Sequence, residues 1–189
     1  MNYEKPFSEF EIKNTSIKFE GDESAVKAGC VGSIDEAMNS KTITKKCEGV
    51  VAKTIVRGDG TGEIKISLHM RYDLYLKTYG MVSDGLIDGV YGYGKNSRHN
   101  PFCLTAEAYD EDGNGKLKAY PNCMVTSGIA RKIENGAEEV AEIELTASVM
   151  PDENGFGMYE AIITDSLDSS VISSWLTNFT PDLVKATSA

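Results

Sequence analysis

Apolar residues recur along this chain mostly at every second position, the spacing of strands that bury one face. Phe10 and Ile12 share one parity, Ile17 and Phe19 the other, which predicts a bulge near Asn14 in a strand over Phe10–Glu20. Gly21–Ser24 reads as a turn, Ala25–Ile34 as a returning strand, and Ser33–Lys41, polar and small, as an exposed loop. Val50–Val56 and Glu63–Met70 are rich in β-branched residues, and Gly58, Gly60 and Gly62 part them as a hairpin turn would. Phe102, Leu104, Ala106 and Ala108 mark the next inner face, and Asp110–Gly115 turns the chain into a strand over Lys116–Thr126. Ile143, Leu145, Ala147 and Val149 mark another inner face, in a strand expected over Glu139–Val149. A turn at Asp152–Gly157 leads to a last strand over Met158–Thr164.

In two places the period lengthens to that of a helix. Tyr72, Tyr75, Leu76 and Tyr79 fall on one face before Gly80 stops the segment. Val171, Ile172, Trp175, Leu176 and Phe179 form a second stripe, with Asp165 or Ser166 as the expected N-cap and Thr180-Pro181 as the end. Many short strands, glycine turns and two helices give a mainly β member of the α+β class, a sandwich or a barrel. The 189 residues suffice for one domain with a sizeable core, and no linker or repeat divides them.

Composition narrows the function. No run of 18 apolar residues suggests a membrane-spanning helix, and the charged N-terminal stretch has no signal-like apolar core, which leads to an expectation of cytoplasmic synthesis. Cys30, Cys47, Cys103 and Cys123 are widely spaced, so reduced strand residues are expected rather than disulfides. A net charge of −10 argues against sequence-specific nucleic-acid binding, though not against a passive channel, which should avoid gripping DNA.

No constellation for catalysis emerges. Asp110, Asp112 and Asn114 alternate as in a calcium loop, but Pro121 stands where the bidentate glutamate belongs. Gly58–Gly62 lacks the Lys-Ser/Thr ending of a phosphate loop, and the glycines from Gly89 to Gly94 have no helix behind them. His99 lies four residues from Cys103 with no third group to orient it, and His69 stands alone. No catalytic, cofactor-binding or metal-ligating residue is therefore expected. Charge is distributed more tellingly. Lys41, Lys45, Lys46, Lys53 and Arg57 face one acid, Glu48, whereas Glu134 to Glu144 holds five acids and no base. Such patches are either two solvated faces or the two halves of a head-to-tail contact.

Two blocks, Lys41–Met81 (KTITKKCEGVVAKTIVRGDGTGEIKISLHMRYDLYLKTYGM) and Lys116–Ala161 (KLKAYPNCMVTSGIARKIENGAEEVAEIELTASVMPDENGFGMYEA), resemble the major tail, or tail tube, proteins of long-tailed bacteriophages and prophages. The resemblance implies two packed antiparallel sheets flanked by a helix, for which Arg71–Tyr79 is the natural candidate. It implies an N-terminal arm over about residues 1–9, a long basic hairpin over about 35–62 and a C-terminal helix over about 166–179. It also implies a subunit of hexameric rings that stack into a conduit for genome ejection, located in the virion tail. Its partners would be further copies of itself and the tape measure, distal tail and tail terminator proteins. Tubes of contractile tails, tailocins and type VI-like systems share the architecture, and a monomeric β-sandwich ligand-binding module is the alternative from another class. On this reading Lys41, Lys45, Lys46, Lys53 and Arg57 meet Glu138 and Glu139 of the next ring. Glu107, Glu142 and Glu144, opposite the inner-facing positions of their strands, would line the lumen.

Overall fold

The computed structural model describes residues 6–136, 138–164 and 166–186. Its strands are β1 (Glu11–Phe19), β2 (Val26–Lys27), β3 (Gly29–Cys47), β4 (Val50–Met70), β5 (Phe102–Tyr109), β6 (Gly115–Val125), β7 (Ile143–Val149) and β8 (Tyr159–Ile162). Two helices, α1 (Tyr72–Thr78) and α2 (Ser169–Asn178), and a 3-10 turn at Pro181–Val184 complete the order. The class is mainly β α+β, as the alternation implies. All eight strands join one antiparallel sheet ordered β2-β1-β5-β6-β7-β4-β3, with β8 beside β6. The expected pair of sheets is thus connected: β6 binds β8 through Lys116–Ala119 and β7 through Cys123–Val125.

The sheet folds over its own inner face. Ile17 and Phe19 of β1 share one apolar cluster with Ile64, Ile66 and Leu68 of β4, although these strands lie near opposite ends of the order. Leu104, Leu145, Ala147 and Val149 fill the space between them. Helix α1 adds Leu74 and Tyr75, and Tyr79 follows it into the same cluster. Gly80 ends this helix at φ +54°, and a Cβ there would lie 1.8 Å from the Arg98 carbonyl oxygen, so only glycine fits.

The helix on the opposite face is α2. Trp175 and Phe179 pack on Leu117 and Ala119, and the Trp175 indole donates to the Lys118 carbonyl at 3.0 Å. Its N-cap is Asp168, whose carboxylate accepts from the Ser170 amide at 2.7 Å, because a turn at Ser166–Leu167 delays the helix. Ser166 is therefore not the cap, and Asp165 and residues 1–5 of the expected arm lie outside the described residues. The bulge is where the parity change put it. The β1–β5 register shifts between Lys13 and Ser16, and Asn14 has φ +52°.

Three local expectations are corrected. Ser33–Lys41 is no loop: it lies within β3, paired with β4 through a run whose polar side chains have no core to enter. Strand β7 begins at Ile143 instead of Glu139, leaving Glu134–Glu142 in the preceding connection. Gly58, Gly60 and Gly62 do not turn the chain. They lie within β4, where two of them allow close approach: a Cβ on Gly60 would meet the Gly155 carbonyl oxygen at 2.7 Å and one on Gly62 the Ala37 carbonyl oxygen at 2.8 Å. The reversal occurs at Glu48-Gly49, both at positive φ (+50° and +81°), the combination a two-residue hairpin of type I′ requires.

Trp175→Ala should lower folding stability by about 3–5 kcal/mol, the usual cost of deleting a buried aromatic. Urea denaturation measures this, and an unchanged midpoint would show that α2 does not hold the outer face.

Candidate functional site

The feature that most departs from an ordinary small domain is the β3–β4 hairpin. Its base, Gly29–Met38 with Gly62–Met70, belongs to the sheet, since β4 is bonded to β7 only from Gly62 to Leu68. A register shift between Met38 and Ser40 separates this base from the tip. From Ser40 to Cys47 the ribbon projects about 25 Å at ordinary strand rise. Every residue from Asp35 to Asp59 is exposed.

Cross-strand pairing sorts the tip residues onto two faces. On one, Lys41 opposes Arg57, Ile43 opposes Ile55, and Lys45 opposes Lys53. On the other, Thr42 opposes Val56 and Thr44 opposes Thr54. Lys46 follows at a second register shift, beside Val51. Like charges directly opposite one another weaken a strand pair. Among the described residues, none of these five cations has an acidic partner within ion-pair distance.

The acidic surface lies at the other end of the ribbon. Glu138, Glu139, Glu142 and Glu144 line an open trough of about 1620 Å³ together with Ser67 and His69 of β4. Ile133 and Val140 stand in it 92% and 82% exposed. Glu134 is held by Lys132 at 2.6 Å, and the Arg131 guanidinium lies 3.9 Å from the centre of the Tyr75 ring. Glu142 and Glu144 therefore join Glu138 and Glu139 in one place, not two. Glu107 is elsewhere, on β5. It is 9% exposed and accepts from the Asn14 amide at 2.7 Å and the Tyr109 hydroxyl at 3.0 Å. A buried carboxylate that already holds two donors braces the β1 bulge and is withdrawn from the lumen assignment.

The hairpin base is fixed by one ammonium. Lys118 of β6 reaches Glu36 of β3 at 2.6 Å, Glu9 at 3.0 Å and Glu160 of β8 at 3.4 Å. Tyr120 donates to the other oxygen of Glu36, and Lys116 binds Glu9 at 3.0 Å. The oxygens of Glu9, Glu36 and Glu160 come within 4.8 Å of one another, a spacing suited to a metal ion, but Lys118 supplies the cation there. Burial raises the Glu9 pKa, and the hydrogen bonds from Lys116 and Lys118 outweigh it, so the carboxyl ends below its ordinary value. Burial lowers that of Lys118, and Glu36 and Glu9 more than reverse this. Sequence reasoning missed this hub because its members come from four distant segments.

The residues weighed for catalysis are otherwise engaged. The His99 ring nitrogens pair with the Val125 carbonyl at 2.7 Å and the Tyr93 hydroxyl at 3.0 Å. Burial pushes the Cys103 thiol up to about 12, far from a thiolate. Asp110 spends its carboxylate inside its own turn, on the amides of Asp112 and Asn114. All four cysteines are free, with Cys30 and Cys47 exposed and Cys123 buried. No helix among the described residues is long and apolar enough to cross a membrane.

No family model matches this sequence, and no curated protein does. Among solved structures, the fold is similar to the tube terminating cap of the anti-feeding prophage, AFP. The TM-score is 0.48 at 10% identity, covering 86% of this chain and 95% of that one.

Lys118→Met should destabilise the fold at pH 7 by about 3 kcal/mol, near the lower end for broken buried ion pairs, because its partners are partly solvated. The depressed Glu9 pKa makes its contribution complete above about 4.5 and lost as pH falls through the folded value. The raised Lys118 pKa makes its contribution complete below about 10.5, lost only as pH rises past the folded value. Urea midpoints should thus differ most near neutrality and converge as pH falls well below about 4.5, where Glu9 takes up its proton and releases its hold on Lys118. A difference independent of pH would show that packing, not charge, is lost.

Proposed function

We propose that this chain is a structural subunit of a phage-type tail, and within that class a tail tube protein whose copies join into rings that stack as a conduit for DNA. The observation that carries the reading is the hairpin tip. A two-stranded ribbon is marginally stable by itself in water, and this one has both edges open, like charges in register and aliphatic side chains in solvent. Val50 and Val56 are 70% and 61% exposed. Those features are liabilities for a monomer and become contacts when another copy covers them. The free edge of β3, at the end of the strand order, offers a second place for a neighbour to add. The work of the protein is assembly, and the resemblance of the Lys41–Met81 and Lys116–Ala161 blocks to tail tube proteins supplies the form of the assembly. The net charge of −10 suits a wall past which the phosphate backbone must slide.

Replacing residues 40–58 by a two-residue turn removes the tip and leaves every core side chain in place. The shortened chain should keep the wild-type urea midpoint within about 1 kcal/mol, since exposed segments add little. It should also fail to form the rings or tubes that the full chain forms at high concentration, by sedimentation velocity and negative-stain microscopy. A full-length chain that stays monomeric throughout, even when mixed with tail-end proteins, contradicts the reading.

A further inference from the structure

The two charge patches lie at opposite ends of the same ribbon. The trough is built on Ser67 and His69, and the aliphatic pair of the basic face includes Ile55. Twelve residues of one strand separate Ser67 from Ile55, about 40 Å at full extension. A paired ribbon cannot fold back across that distance, so the basic face never reaches the trough of its own subunit. Contact between them must occur between copies.

The patterns match in detail. The basic face has an aliphatic centre, Ile43 and Ile55, 42% and 37% exposed, between the Lys41/Arg57 and Lys45/Lys53 pairs. The trough has Ile133 and Val140 among Glu138, Glu139, Glu142 and Glu144, which have no ion pairs among the described residues, while Arg131 stacks on Tyr75 and Lys132 is taken up by Glu134. The opposite face of the tip carries Thr42, Thr44, Thr54 and Val56, with one cation, Lys46, beside the turn. Only the face of Lys41 and Arg57 sets an aliphatic pair between two pairs of cations.

We infer that the face of Lys41, Ile43, Lys45, Lys53, Ile55 and Arg57 docks in the trough around Ile133, Glu138, Glu139 and Val140 of a second copy. The inference rests on the assembly reading above and adds to it a face, a receptor and a geometry. Because tip and trough are different surfaces, each copy both gives and receives a hairpin, and a head-to-tail arrangement of such contacts continues from copy to copy. Successive subunits are offset along the ribbon by at most about 40 Å, the tip-to-trough separation at full strand extension.

Mixing separates the possibilities. A Lys45→Glu/Lys53→Glu chain keeps its trough and inverts charge at its hairpin; a Glu138→Lys/Glu139→Lys chain does the reverse. Each alone should sediment as monomer under conditions where wild type assembles. Their mixture should yield long assemblies in which the two chains alternate, because each hairpin then meets a trough of opposite charge on the other chain. Combining all four changes in one chain should restore long assemblies. Thr44→Glu/Thr54→Glu, on the opposite face, should assemble like wild type and report any general effect of added acid. Circular dichroism of each monomer checks that it is folded.

Assembly by the Lys45/Lys53 variant over a range of salt, or its loss in the Thr44/Thr54 variant alone, would overturn the assigned face. A mixture that stays monomeric would overturn the assigned receptor. Binding of duplex DNA by wild type that the Lys45/Lys53 variant loses while still assembling would give the basic face to nucleic acid and overturn the proposal. Wild type that never assembles would instead remove the assembly reading beneath it, an outcome distinct from all of these.

Discussion

A strand needs something on each side of it, and in this molecule β3 and β4 outrun the sheet that serves them. From Gly62 to Leu68, β4 has β7 on one side and β3 on the other, and its alternate side chains enter the core. Beyond Gly58 the two strands have only each other. No apolar layer covers either face of that ribbon, so its hydrogen bonds compete directly with water and add about 0.5–1.5 kcal/mol each at best. The rest of the architecture is ordered around keeping the base of this ribbon fixed.

That fixing is electrostatic as well as apolar. Lys118, on a strand two places removed from β4, binds Glu36 of β3 across the folded sheet, and the same ammonium gathers Glu9 and Glu160. An exposed ion pair contributes little, but one cation among three carboxylates is a different case. Removing it leaves Glu36 with no cation among the described residues and Glu9 and Glu160 with Lys116 alone. Van der Waals contact does similar work where Gly60 and Gly157 let β4 pass close to the 152–157 turn, since a Cβ on Gly157 would lie 2.0 Å from the Gly60 carbonyl oxygen. Direction and stiffness of the hairpin base thus come from contacts far apart in sequence.

This explains which features were legible in the sequence. The Asn14 bulge, the inner faces of β5 and β7, the α1 stripe and the turns at Asp110 and Asp152 all follow from residues within a few positions of each other. The glycines at 58–62 were misread because a glycine needed for close approach looks, in one dimension, like a glycine needed for a turn. Glu48-Gly49 was passed over because Glu is an uncommon first residue for a type I′ turn, which favours Asn or Asp. The charge asymmetry of the candidate site was visible, but the sorting of four of its five cations onto one face required the register. Glu107 looked like a surface charge until its partners Asn14 and Tyr109 were placed beside it.

The central claim is that the hairpin tip is completed by another copy of the chain. Amide hydrogen exchange over residues 40–58, followed from dilute monomer to concentrated assembly, tests it most directly. The account predicts fast exchange at the tip in the monomer, against slow exchange at Ile64–Leu68, and protection of the tip that rises with the assembled fraction. Strong protection of the tip already in the dilute monomer, or none in the assembly, would contradict it.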